Sequence, residues 1–209
     1  SFENMQSSQN RLTLDRNDAL NSGVPNERDL GMFFYWAPKE IRERFAMLVN
    51  DGYKGSGDYG VFAFGAYNGN NVNKPESNRD LHVVTRITYP FVIGSQIIEP
   101  SIQAYTGKWA FTSEISPGVI TNFDTKYVTD QRIGATFVLY PKPFGIQTEY
   151  NIGKGPRYNK ETNSVDVTNI NGGYVLLNYK LDLGKQLLYP FAKFQYYDGG
   201  KKYEKDARS

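Results

Sequence analysis

The stretch Ile133–Gly153, IGATFVLYPKPFGIQTEYNIG, alternates apolar and polar residues, breaks at a Pro-Lys-Pro turn, and then alternates again. Period-two alternation of this kind marks two strands joined by a hairpin, each with one face hidden from water. One face carries Ile133, Ala135, Phe137 and Leu139, then Phe144, Ile146, Thr148 and Tyr150. The other carries Arg132, Gly134, Thr136, Val138 and Tyr140, then Gly145, Gln147, Glu149 and Asn151. The apolar face must be buried against a second sheet, a helix or lipid, and that choice decides the fold.

Working outward, alternation and chain-breaking residues predict about eight strands. They are Arg28–Ala37, Tyr59–Asn68, Leu81–Pro90, Ile97–Trp109, Gln131–Tyr140, Phe144–Ile152, Gly173–Leu183 and Leu187–Tyr197. Strands near ten residues suit a tilted bilayer crossing and exceed the ~5 to 6 usual in globular sheets. The connections alternate in length. YPFVIGSQ, YPKPF and DLGKQL are tight, whereas NGNNVNKPESNRD, AFTSEISPGVITNFDTKYVTD and GKGPRYNKETNSVDVTNIN are long and polar. Short turns on one side and long loops on the other are the habit of an up-and-down barrel in a membrane.

The faces of the other strands repeat the pattern. Leu81, Val83, Thr85, Ile87 and Tyr89 oppose His82, Val84, Arg86 and Thr88; Pro190, Ala192, Phe194 and Tyr196 oppose Tyr189, Phe191, Lys193 and Gln195. Apolar faces tend to end in an aromatic, as at Tyr89, Tyr150 and Tyr196, which is where girdles at the two lipid–water boundaries place them. Arg86, Arg132, Lys193, Gln147 and Glu149 all fall on the opposite faces. Charges there are costly in an apolar, ligand-binding interior and natural beside water. The expectation is therefore an apolar face toward lipid and an ionised face toward a water-filled interior.

Bulk composition allows this. With 209 residues, 39% hydrophobic, and a mean hydropathy of −0.56, no window reaches the ~18 to 20 apolar residues of a membrane helix. A membrane barrel needs apolar residues only at alternate positions. The formal net charge of +2 gives no electrostatic case for nucleic-acid binding. Zero cysteines removes disulfides, thiolate chemistry and cysteine–zinc sites. The opening SFENMQSSQN lacks the basic and apolar regions of a signal peptide. A single domain over residues 1–209 is expected.

One connection reads as a helix. APKEIRERFAMLVNDG places Ile41, Phe45, Leu48 and Val49 on one face, with Pro38 at its start and Gly52 just past its end. Strand parity puts it on the short-turn side, where it would cap the barrel mouth.

Four stretches, ERDLGMFFYWAPKEIRERF, GSGDYGVFAFGAYNGNN, LHVVTRITYPF and above all YPFAKFQYYDGGKKYEKDAR, resemble the phosphate-selective O/P-type porins of bacterial outer membranes. The likeness runs from about Met5 to Arg208. It implies a sixteen-stranded antiparallel transmembrane barrel, a homotrimer in lipid and lipopolysaccharide, that passes small anions such as phosphate through a basic pore without a cofactor. Porins of this kind end in a strand with a terminal aromatic, whereas this chain stops at KDARS; it also begins in a loop-like segment. The expectation is a piece of about eight to nine strands, incomplete at both ends. The lysines and arginines that hold phosphate in the family find no residue-by-residue match here.

Arg86, Arg132, Lys193 and, by parity from Tyr174, Leu176 and Asn178, Lys180 form the lumen-facing basic set. Two readings stay open for them: they ease the entry of anions, as ladders of positive charge do in pores, or they pair with Glu149, Glu99 and other acids to brace the wall. The remaining motifs have plainer readings. GKGPRYNK lacks the strand–loop–helix setting of a nucleotide loop and reads as a flexible external loop. His82 is the sole histidine and reads as a wall residue; NDGYKGSGD lacks calcium-loop spacing. Glu149 and Asp182 fall on different strands, with nothing to place them in a cleft. The segment Asn10–Asp29, with Arg11, Arg16 and Arg28, reads as an external loop. The expected function is an outer-membrane channel with some anion preference. The rivals are a soluble ligand-binding barrel, with apolar interior and charged exterior, and a barrel enzyme or adhesin acting through its loops.

Overall fold

The computed structural model describes residue 12 and residues 30–55, 60–68, 80–110, 120–121 and 127–200, with only the backbone at 109, 110, 120 and 121. The external segment containing Arg11, Arg16 and Arg28, most of NGNNVNKPESNRD, Asp58, and most of AFTSEISPGVITNFDTKYVTD lie outside the described residues.

Strands β1 (Gly31–Trp36), β2 (Phe62–Tyr67), β3 (His82–Thr88), β5 (Gln96–Ala110), β7 (Tyr127–Leu139), β8 (Phe144–Asn159), β9 (Ser164–Tyr179) and β12 (Phe191–Asp198) follow one another across a single sheet. Each of these neighbours pairs antiparallel, the up-and-down order expected of a barrel wall. Among the described residues the sheet is open, with β1 and β12 at its edges. Two short strands join it: β4 (Phe91–Ile93) pairs with β5, and β6 (Ile120–Thr121) lies parallel to β9. Strands β10 (Leu181–Asp182) and β11 (Leu187–Leu188) form a separate ribbon in the turn before β12.

The alternation read from the sequence is the alternation of burial. Along β7 every second residue from Val128 to Val138 is buried, and the residues between are exposed up to Phe137. The ionised faces of β3, β5, β7, β8 and β9 look inward, and Ile87, Ile102, Ile133, Phe137, Tyr150, Ile152, Val175 and Leu177 look outward. Both faces of β1 and more than half of β12 are exposed, as befits edge strands. Aromatic Tyr150 and Tyr196 flank Gly173 in one register row on the outer surface, with Ala135 beyond Tyr150. Tyr89 departs from the girdle reading: it is partly buried against the helix core, with its ring 4.6 Å from that of Phe91.

Helix α1 (Lys39–Asn50) forms as predicted, with Pro38 as its N-cap and Gly52 at φ +73° just beyond it. Its buried residues Ile41, Phe45 and Leu48 pack on inward-facing Ile97, Val138 and Tyr140. These lie at the short-turn ends of β5 and β7, so α1 packs on the inner face of the sheet at that end. Its opposite side, Lys39, Glu40, Arg42 and Glu43, is exposed.

One expectation is corrected. GKGPRYNK is not a flexible loop: β8 continues through it, paired with β9 up to Asn159↔Ser164, and the Asn159 side chain accepts hydrogen bonds from the backbone N–H of Glu161 and Thr162 in the turn. A hairpin that rises out of lipid has water on both faces, so its alternation fades while its pairing persists.

Candidate functional site

The inward wall is built in register rows. One row runs Glu99–Val138–Gln147–Leu176–Lys193, and the next Thr88–Ser101–Thr136–Glu149–Tyr174–Gln195. A third runs Ala63–Arg86–Gln103–Gly134–Asn151–Gly172–Tyr197, and a fourth Gly65–Val84–Tyr105–Arg132–Gly153–Ile170. Successive rows are about 7 Å apart along the strands. Lys193, Arg86 and Arg132 thus occupy different rows, and Lys180 lies beyond the first row toward the short turns.

Polar side chains on this face hold one another. Gln103 donates to Thr136 Oγ1 (2.9 Å), Thr136 to Glu149 (3.4 Å) and Asn151 to Glu149 (2.8 Å). Gly134 lies between Gln103 and Asn151, and any Cβ there would run into both side chains. His82 Nε2–H donates to the Lys108 carbonyl (2.9 Å), which leaves Nδ1 to accept from the Tyr105 hydroxyl (2.9 Å). The lone histidine is thus a wall residue with both nitrogens engaged.

Toward the short turns the wall carries a denser knot. Glu99, fully buried on β5, accepts from Lys54 Nζ at 2.7 and 2.9 Å, from Thr88 Oγ1 at 2.8 Å and from Tyr140 Oη at 2.5 Å. Burial drives the Lys54 ammonium below the ordinary lysine range, and Glu99 pulls it the other way. Lys54 Nζ also sits 5.0 Å from the centre of the Phe45 ring.

The four predicted basic residues all face inward, but in two settings. Arg86 and Arg132 are only 2% and 5% exposed. Arg132 pairs with Asp130 on its own strand at 3.3 Å, and the Glu99 charge acts on Arg86. The expected water-lined arginines are instead buried among the side chains of the inner face. Lys193 and Lys180 are partly exposed and lie over tyrosine rings, Lys193 5.3 Å from the centre of Tyr174 and Lys180 4.4 Å from that of Tyr53. Glu149 is buried in β8 whereas Asp182 is exposed in β10, so no carboxylate pair forms a catalytic cleft between them. Among the described residues no cluster of three or more metal-ligating side chains occurs. Sequence reasoning missed the Lys54–Glu99–Tyr140–Thr88 knot: parity places Glu99, Thr88 and Tyr140 inward, but Lys54 follows a turn and carries no periodic signal.

A meander of long antiparallel strands, apolar outside and ionised inside, defines the wall of an outer-membrane-type β-barrel. A soluble ligand-binding barrel requires the opposite faces. The sequence pattern of the family described as phosphate-selective porin O and P matches residues 1–209, and the chain belongs to that family. No curated relative and no solved structure matches it.

Proposed function

We propose that this chain forms the wall of a bacterial outer-membrane channel that conducts small hydrophilic anions, phosphate among them, by passive diffusion. Membership in the porin family supports a channel over an enzyme. The observation that carries the anion preference is the stagger of Lys180, Lys193, Arg86 and Arg132 along the inner wall, with none of them on the outer face. Lys180 and Lys193 are open enough to replace part of a passing anion's hydration. Arg86 and Arg132 act through the field of their buried charges, partly offset by Glu99 and Asp130. In lipid every strand of a wall needs backbone partners on both sides, and we assign the neighbours of β1 and β12, the edge strands among the described residues, to further wall strands. The assembled channel is a homotrimer whose outer surface meets lipid and lipopolysaccharide.

Reversal potentials across planar bilayers in a salt gradient test this reading. A unit charge about 4 Å from a passing anion is worth ~1 kcal/mol in water, roughly a fivefold change in occupancy. Replacing both Lys180 and Lys193 with alanine lowers the anion-to-cation permeability ratio by about that factor. An unchanged ratio refutes the assignment.

A further inference from the structure

Helix α1 is tied to the sheet by more than its apolar face. It connects β1 and β2, yet its contacts reach inward to β5 and β7. On one flank Arg44 Nη1 donates to the Pro90 carbonyl at 2.6 Å. Beyond its C-terminus the chain reverses at Gly52 and delivers Lys54 to Glu99. That carboxylate draws together four parts of the molecule: the segment after α1 through Lys54, β3 through Thr88, its own strand β5, and the end of β7 through Tyr140. The Lys54 ammonium and the Glu99 carboxylate are both sealed from water, at 4% and 0% exposure. A buried ion pair is a poor source of net stability compared with apolar packing, but removing one partner strands a charge. Such a pair is suited to fixing one arrangement rather than to adding stability.

We propose that Glu99 is the catch that holds α1 inside the short-turn mouth, and that the Lys54–Glu99 pair thereby sets how far that end of the channel is open. The inference rests on the channel reading above. Glu99 acts as a positioning residue: it touches the segment that follows the helix, and the helix occupies the mouth. With the carboxylate in place α1 stays docked on Ile97, Val138 and Tyr140. Without it, the stranded Lys54 ammonium regains water only by leaving the wall, and the helix that precedes it is carried along.

The chain has no cysteine, so a single introduced thiol reports α1 alone. In an Ile41→Cys background the thiol lies at a position that is 2% exposed and shielded from a charged, membrane-impermeant reagent. Adding Glu99→Gln is expected to raise the labelling rate at least about tenfold, because a stranded buried charge favours local opening. In planar bilayers the same substitution raises mean single-channel conductance, while mobility on an unboiled gel stays that of a folded barrel. Removing both charges, Lys54→Met with Glu99→Gln, takes away the catch without stranding a charge, and labelling is expected to stay above the background but below that of Glu99→Gln alone; a return to the background overturns the catch. Should Glu99→Gln fail to fold, Tyr140→Phe, which removes one donor, is expected to give an intermediate rise in labelling. Parent-like labelling and conductance in whichever of the two variants folds overturns the catch. A parent that does not conduct overturns the channel reading instead, and the labelling result then stands alone as a statement about α1.

Discussion

The outer surface supplies the sharpest perturbation. On β8 the outward residues from Phe144 to Ile152 span eight steps, and Lys154 follows at the upper edge. Eight steps at about 3.4 Å are roughly 27 Å along the strand, or about 21 Å of height at a tilt near 40°, close to the ~25 Å apolar band of outer-membrane barrels. Thr148 lies midway, and its register row continues outward-facing through Phe137, Val175 and Phe194. Val175, exposed on β9, therefore sits at the mid-depth of the band. Val175→Arg is expected to cost about 2–4 kcal/mol of folding stability in lipid, whereas Ile152→Arg, next to Lys154, costs about 0–1 kcal/mol. The assay is urea titration of protein folded into lipid vesicles, with the folded fraction read by unboiled gel mobility. If water covered the outer face, both substitutions would fall within about 0.5 kcal/mol of the parent. Equal costs at the two positions would refute the reasoning.

Further expectations follow from inner packing and backbone geometry. Gly134→Leu crowds Asn151 and Gln103 and should cost about 1–3 kcal/mol, while Ala135→Leu, one residue away on the lipid side, should be close to neutral in the same titration. Gly52→Ala places a Cβ at φ +73° and should lose about 1 kcal/mol, read as a lower urea midpoint with an unchanged slope. Ser101→Ala removes a hydroxyl that donates to Gln103 Oε1 at 3.2 Å, at an expected cost of about 1 kcal/mol in the same assay.

Much of the wall was legible before any coordinates. Period two leaves only the phase to determine, and Arg86, Arg132 and Lys193 on one face settle it, because ions on a lipid-facing surface are too expensive. The helix was legible for a separate reason: Pro38, the spacing of Ile41, Phe45 and Leu48, and Gly52 are all local signals. Three features were not legible. The upper parts of β8 and β9 carry polar residues on both faces, so pairing leaves no mark on the pattern. The burial of Arg86 and Arg132 depends on side chains that other strands bring to the inner face, which no single strand encodes. Lys54 reaches Glu99 across 45 residues of sequence, and a lysine after a glycine turn gives no hint of its partner.

The most direct measurement is a spin-label scan along β9, one cysteine at a time from Tyr174 to Asn178, in the porin reconstituted in lipid. Labels at Val175 and Leu177 should be relaxed by oxygen dissolved in the bilayer and shielded from a water-soluble nickel complex. Labels at Tyr174, Leu176 and Asn178 should be shielded from oxygen. The opposite phase, or no alternation along the five positions, would contradict an apolar surface turned to lipid around an ionised interior.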